Sequence, residues 1–315
     1  MRIHHLPDEV LTGAHPRARL LRLGVTRHQL DGADWRQTEH DRWAWAKAAD
    51  NVTERIRQAS TVLPGQSLVS GWAAAHLWGA VDLDGERHDG GSLPVPITVP
   101  RHVVCRRHRA VEVFRSTCQA EDVDVRSGIP VTSAVRTAFD LARLADDIRE
   151  AVAQVDALLR AVPLELEQIA EYVERHRRSR GVPQARRVLT LASSRARSCQ
   201  ESRMRMMWVL DAGLPPPLVN VRLMNVQGHL LGMPDLFDEA AGLVGEYDGR
   251  HHASAVQRSV DSQRQEAMEG AGLLVVRLTA PDLITHRLRS VFRIKRLHAR
   301  GLARDRTDQG WVVVP

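Results

Sequence analysis

The residues best suited to chemistry lie in the last third of the chain. Pro234-Asp235 is followed by Glu246-Tyr247-Asp248, with His251-His252 just beyond. The segments around them read as antiparallel strands joined by a short turn, which brings the carboxylates near one another. Strand side chains alternate, so Glu246 and Asp248 share one face while Tyr247 points away. With Asp235 on that same side, three carboxylates converge at the strand ends. Convergent hard oxygens are what Mg²⁺ binds, with Mn²⁺ as a substitute. Carboxylates that close repel one another unless a cation or proton intervenes. A bound ion would activate a water and stabilise the charge developing on a phosphodiester. Asp235, Glu246 and Asp248 are therefore the candidate metal ligands.

The elements that must position them follow an αβββαβα order from Ser198. A helix opens at Ser198–Glu201, carries Met204, Met207, Trp208 and Leu210 on its apolar face, and ends at Gly213 before Pro215–Pro217. Leu218–Val226 reads as a strand, Gly228 as the turn, Leu230–Phe237 as the returning strand and Leu243–Asp248 as a third. A helix over 254–270, a buried strand Leu273–Leu278 and a helix from about Pro281 to Arg300 complete the pattern. The last helix is basic and amphipathic. Such a helix packs its apolar side and solvates the rest, or tracks a phosphate backbone.

Met233-Pro-Asp-Leu236, Val244-Gly-Glu-Tyr-Asp-Gly249 and His251-His252, followed by Asp261, Arg264 and the apolar strand, resemble the PD-(D/E)XK nuclease superfamily, and within it the Vsr-like (very-short-patch-repair) domains. The resemblance covers about residues 195–285. It implies a restriction-endonuclease-like domain with Asp235 as main metal ligand, Glu246 as second and Glu201 as auxiliary acid. It also implies a departure: the superfamily's lysine, two residues after Glu246, is Asp248 here, and no lysine lies between Lys47 and Lys295. Arg250, His251, His252 or Arg264 would supply the positive charge instead. Plainer readings stay open. Ser198 and Glu201 form a capping box by spacing alone, Asp248-Gly249 is an ordinary turn pair, and Asp261–Arg264 is spaced as an i,i+3 ion pair.

Upstream, Arg17–Leu23 reads as a helix, Gly24-Val25-Thr26 as a break with Thr26 as N-cap, and Arg27–Leu30 as a second helix. Two short strands around His40-Asp41 follow. That order is a small winged helix-turn-helix, whose Arg27, His28 and Gln29 would start the recognition helix. The middle region has a helix at Gly71–Trp78, strands at Val95–Val99 and Val111–Phe114, then Gly128–Thr132 leading into helix Val135–Leu144, and helices at about 146–160 and 165–177. Arg136 and Asp140 are spaced as an i,i+4 ion pair, and His76 as a packed histidine. Ser70–Gly79 and Pro130–Asp140, behind a winged-helix start, resemble the AbiEi-type antitoxin arrangement.

The expected architecture is α/β and α+β: a winged helix-turn-helix over 1–55, an α+β middle domain over 56–190 and the nuclease-like αβββαβα domain over 191–315. Composition agrees with a folded, multidomain chain. Of 315 residues 43% are hydrophobic, too many for a disordered protein. No apolar run approaches the ~18 residues of a membrane span, and the start lacks the apolar core of a secretory signal, so a cytoplasmic location is expected. Three cysteines without CxxC spacing exclude a disulfide scaffold and a cysteine zinc knuckle. A net charge of +6, nearly all its cations arginine, favours polyanion partners; codon usage in a GC-rich genome would give the same arginine bias. The leading expectation is a Mg²⁺-dependent DNA endonuclease in repair or defence. The alternative is a non-catalytic, antitoxin-like DNA-binding regulator that retains a nuclease fold. A third is an interaction protein of a defence system. The expected partners are DNA and a toxin or defence-system protein, not a membrane.

Overall fold

The computed structural model describes residues 6–7, 10–39, 41–61, 64–87, 90–105, 108–249, 255–305 and 309–314, with backbone alone at 39 and 255–261. The chain divides into two compact units, one of residues 1–144 and 161–185, the other of 145–160 and 186–315.

The first unit opens with β1 (Ala14–Pro16), α1 (Arg17–Arg22), α2 (Arg27–Leu30), β2 (Trp35–Glu39) and β3 (Arg42–Trp45). Gly24, at φ +91°, ends α1 in a conformation that side chains resist. Thr26 then caps α2 reciprocally: its hydroxyl accepts from the Gln29 N–H at 3.2 Å, while Gln29 Oε1 accepts from the Thr26 N–H at 2.8 Å. The three strands form an antiparallel sheet in the order β1-β3-β2. Leu20 and Leu30 from the helices and Val25 from the turn between them pack with Trp35, Trp43 and Trp45. β1 is too short to show a period in the sequence.

After α3 (Val52–Ser60) come β4 (Leu68–Val69), α4 (Gly71–Leu77), β5 (Val95–Val99), β6 (Val111–Arg115), β7 (Val123–Arg126) and β8 (Ile129–Thr132). They build a mixed five-stranded sheet, β6-β5-β4-β8-β7. Helices α5 (Ala134–Leu144), α6 (Ile148–Ala161), α7 (Leu166–Arg175) and α8 (Val182–Leu191) follow in the chain; α5 and α7 belong to the first unit, α6 almost wholly to the second, and α8 spans the boundary after residue 185. The expected Arg136–Asp140 pair is present, with Arg136 Nε donating to Asp140 Oδ2 at 2.8 Å. It belongs to a larger buried cluster. Arg136 also meets Asp122 at 3.3 Å and Ser116 Oγ at 2.8 Å, Tyr172 donates to Asp122 at 2.6 Å, and Arg143 pairs with Asp140 at 2.7 Å. Burial works against the Arg136 charge, yet the adjacent Asp140 carboxylate holds its pKa above the ordinary value. His76 is half-buried against the Leu83 carbonyl, as expected of a packed histidine.

The second unit runs through α9 (Cys199–Met206), a π-turn at Met207–Asp211, β9 (Leu218–Val219), β10 (Arg222–Asn225), β11 (Leu230–Gly232), β12 (Leu236–Asp238), β13 (Leu243–Tyr247), α10 (Ala255–Gly270), β14 (Leu274–Leu278), α11 (Ala280–Leu283), α12 (Arg287–Leu302) and β15 (Trp311–Val314). One correction concerns the hairpin. Leu218–Val226 and Leu230–Phe237 are not single strands. Each is broken midway, by Asn220 at φ +50° and by Pro234, which has no N–H to pair. The outer halves join β15 in a three-stranded sheet, β11-β10-β15, and the inner halves lie in a four-stranded sheet, β14-β13-β12-β9. The expected last helix likewise divides into α11 and α12.

Alternation decides what each face of the four-stranded sheet meets. Leu236, Leu243, Leu274, Val276 and Leu278 pack with Met204, Met207 and Trp208 of the α9 segment and with Ile294 of α12. Phe237 and Val244, on the other face, pack with Met268 of α10 and Trp311 of β15. β13 and β14 run parallel, with α10 in the connection between them.

Candidate functional site

Register places the carboxylates. β12 and β13 are antiparallel, with Phe237 opposite Val244 and Leu236 opposite Gly245. One further step sets Asp235 beside Glu246, on the side of the sheet that α10 covers. The Tyr247 N–H donates to Asp235 Oδ2 at 2.7 Å and ties the two strand ends together. From β14, Arg277 is the register partner of Glu246. From α10, Arg264 lies one turn before the core residue Met268 and donates to Glu246 Oε2 at 2.8 Å, and Arg277 approaches the same oxygen at 3.8 Å.

These side chains line a cavity of about 160 Å³ in which Asp235, Glu246 and Asp248 face Arg197, Arg264 and Arg277. The carboxyl of Asp235 is pushed up to about 6, by burial and by the neighbouring Glu201 and Glu246 charges, against the pull of the Tyr247 N–H and Arg264. Glu201 does not line the cavity. It accepts from Ser198 Oγ at 3.1 Å, from the Arg197 N–H at 2.7 Å and from Asn220 Nδ2 at 3.0 Å, so it caps α9 and pins the turn between β9 and β10. That is the capping reading of the Ser198/Glu201 spacing, and Glu201 reaches Asp235 through its charge.

Asp235 and Glu246 suit Mg²⁺ or Mn²⁺ in part. Each offers a hard oxygen, and Mg²⁺ keeps several of its own waters. Among the described residues, however, no three His, Cys, Asp or Glu side chains are grouped to hold an ion, and Glu246 is already neutralised by two guanidiniums. The two cations beside Glu246 are thus Arg264, named from the sequence, and Arg277, which was not. Strand alternation in Leu274–Leu278 is the signal that marks Arg277. Arg250, His251 and His252 lie outside the described residues, as does the side chain of Asp261.

In the first unit, Arg27 and His28 are exposed on α2, whereas Gln29 folds back as the cap of its own helix. The exposed Arg17 and Arg22 of α1 add positive charge to the same three-stranded unit. Arg17 stands 5.0 Å over the Trp43 ring.

Residues 68–191 match the family model of the AbiEi antitoxin C-terminal domain. The match runs from β4 to α8 and takes in the whole Arg136 cluster. The chain is also similar to two uncharacterized proteins, one from each of two strains of Mycobacterium tuberculosis. Each is 29% identical over 162 residues, which make up 50% of this chain and 57% of the relative. The match therefore spans little more than half of those relatives' own length. No solved structure matches the chain. Among the described residues no helix is long and apolar enough to cross a membrane.

Proposed function

We propose that the protein is a DNA-binding regulator of the antitoxin type. The observation that carries this reading is the AbiEi antitoxin domain match over 68–191, directly downstream of a capped helix-turn-helix with exposed cations. In this reading residues 10–45 are a winged helix-turn-helix, α2 enters the major groove, and Arg27 and His28 reach base edges or phosphates. The restriction-endonuclease-like second unit is retained as a scaffold. Its carboxylates are compensated by Arg264 and Arg277, and nothing in this reading requires them to cut. The DNA partner follows from the regulator role, and a toxin partner from the antitoxin type.

Asp235 supports a second reading, a Mg²⁺-dependent endonuclease. A partly buried carboxyl pushed up to about 6 in the lining of a cavity is a functional-site signature. In that reading Asp235 and Glu246 hold Mg²⁺ or Mn²⁺, which supplies Lewis acidity, while Arg264 and Arg277 face the phosphate. A plasmid-nicking assay with the full chain separates the two. The regulator reading expects no Mg²⁺-dependent cleavage, and DNA binding that persists in Asp235→Ala. Cleavage by the wild type that is lost in Asp235→Ala and Glu246→Ala would replace it with the nuclease.

A further inference from the structure

We propose that α12 is a docking helix for an acidic protein partner, whose apolar side chains, flanked by carboxylates, seat on its outer face. This surface belongs to the second unit and shares no residue with the lining of the carboxylate cavity, and the proposal stands whether that unit binds metal or not.

The inner side of α12 is fully used. Ser290, Ile294 and Gly301 are buried, and a Cβ on Gly301 would stand 2.1 Å from the Ala241 carbonyl oxygen, so the helix sits as close to the β12–β13 turn as backbone allows. Arg287 pairs with Asp211, Arg293 donates to the Arg277 carbonyl, and His298 meets Asp238 at 3.3 Å. These contacts fix the outer face in one orientation.

That outer face is apolar where a solvated helix would be polar. Leu288 and Phe292, one turn apart, are 86% and 67% exposed, Leu302 lies on the same side of the helix at 55%, and Ile284, in the turn just before the helix, is 46% exposed. Lys295 interrupts the line, and Arg289, Arg296 and Arg300 border it on one side. All four are exposed, and among the described residues none is held in an ion pair. The helix RLRSVFRIKRLHARGL contains no carboxylate. An exposed apolar line on a rigid helix marks an interaction surface.

Charge and shape select the occupant. A second copy of α12 would set cations against cations. Duplex DNA would satisfy the arginines but offers nothing to Leu288 and Phe292. A helix lying in a lipid surface needs a broad apolar face, whereas this line is one side chain wide and its other border is packed on the protein's own sheet. A protein segment with apolar residues flanked by Asp and Glu answers both features, with the carboxylates steering the encounter and the apolar side chains holding the complex.

The test uses the full chain and a fluorescein-labelled synthetic helical peptide with leucines at i, i+4 and i+7 flanked by glutamates. Fluorescence anisotropy is expected to show saturable binding. Leu288→Ser/Phe292→Ser and Arg289→Gln/Arg296→Gln should each weaken it by about tenfold or more, which is about 1.4 kcal/mol. These positions are exposed, so melting temperatures stay unchanged, and Phe292→Leu retains binding. No binding by the wild type, or equal binding by the serine variant, overturns the proposal. So does Phe292-dependent sedimentation with phosphatidylserine vesicles, protection of α12 amides by duplex DNA in hydrogen exchange, or self-association lost in Phe292→Ser. Each of these assigns the face to another occupant.

Discussion

Asp235 should make the folded protein less stable than an uncharged residue of the same shape. Its carboxyl is held at about 6, against an ordinary 3.8, because burial and the charges of Glu201 and Glu246 disfavour ionisation. The native state therefore keeps a proton between those two values that the unfolded chain has already released. Stability falls as pH rises through that window and stays lowered above it. At roughly 1.36 kcal/mol per pH unit, the loss at neutral pH is about 3 kcal/mol. Asp235→Asn removes the charge but keeps an oxygen to accept the Tyr247 N–H. The variant should thus be more stable than wild type by about 2–3 kcal/mol at pH 7.5, a rise of roughly 6–12 °C in the melting of the second unit. Near pH 4 the advantage should vanish. Thermal and urea unfolding of both proteins across pH 4–8 measures this directly. A variant no more stable than wild type at pH 7.5, or one whose advantage is the same at pH 4, would show that the Asp235 charge carries no such cost. A residue that costs stability where it stands is one that function keeps.

Three further outcomes follow from the packing. Arg136→Met leaves Asp122 buried without its cation and Asp140 with Arg143 alone, so urea unfolding should show a loss of about 3–5 kcal/mol in the first unit; a loss below about 1 kcal/mol would place the network outside the stabilising core. Gly181→Ala forces a side chain onto φ +82° with its Cβ 2.1 Å from the Arg143 carbonyl oxygen, so it should cost more than about 1 kcal/mol, and an unchanged melting temperature would contradict that geometry. Arg264→Ala removes the closer cation from Glu246. Isothermal titration with Mg²⁺ should then give tighter uptake than in wild type if the arginine occupies the ion's place, and equal or weaker uptake would show that it does not.

Much of the second unit was legible in the sequence because its signals are local. Ser198 caps α9 through Glu201 as their spacing indicates, Gly213 follows its end, and the apolar runs of β13 and β14 are buried strands. Thr26 and Gln29 fixed α2 for the same reason, although that cap occupies a side chain expected to read DNA. What escaped was set by distant partners. The hairpin changes sheets because β15, far along the chain, pairs with β10. The ion pair at Arg136–Asp140 was evident from spacing, but its extension to Asp122 and Tyr172 needs the folded sheet. The carboxylates and Arg264 were visible as candidates, whereas Arg277 comes to Glu246 only because β14 pairs with β13.

The regulator reading requires that the N-terminal α1–α2 segment hold DNA. Fluorescence anisotropy of the full chain with duplex DNA from upstream of its own coding sequence, over a series of salt concentrations, tests this. Binding should weaken steeply with salt, fall in Arg27→Ala and His28→Ala with the salt slope reduced by about one for the arginine, and persist in Asp235→Asn. Binding that ignores Arg27 and His28 but disappears with Arg264→Ala would move the nucleic-acid contact to the second unit and contradict the account.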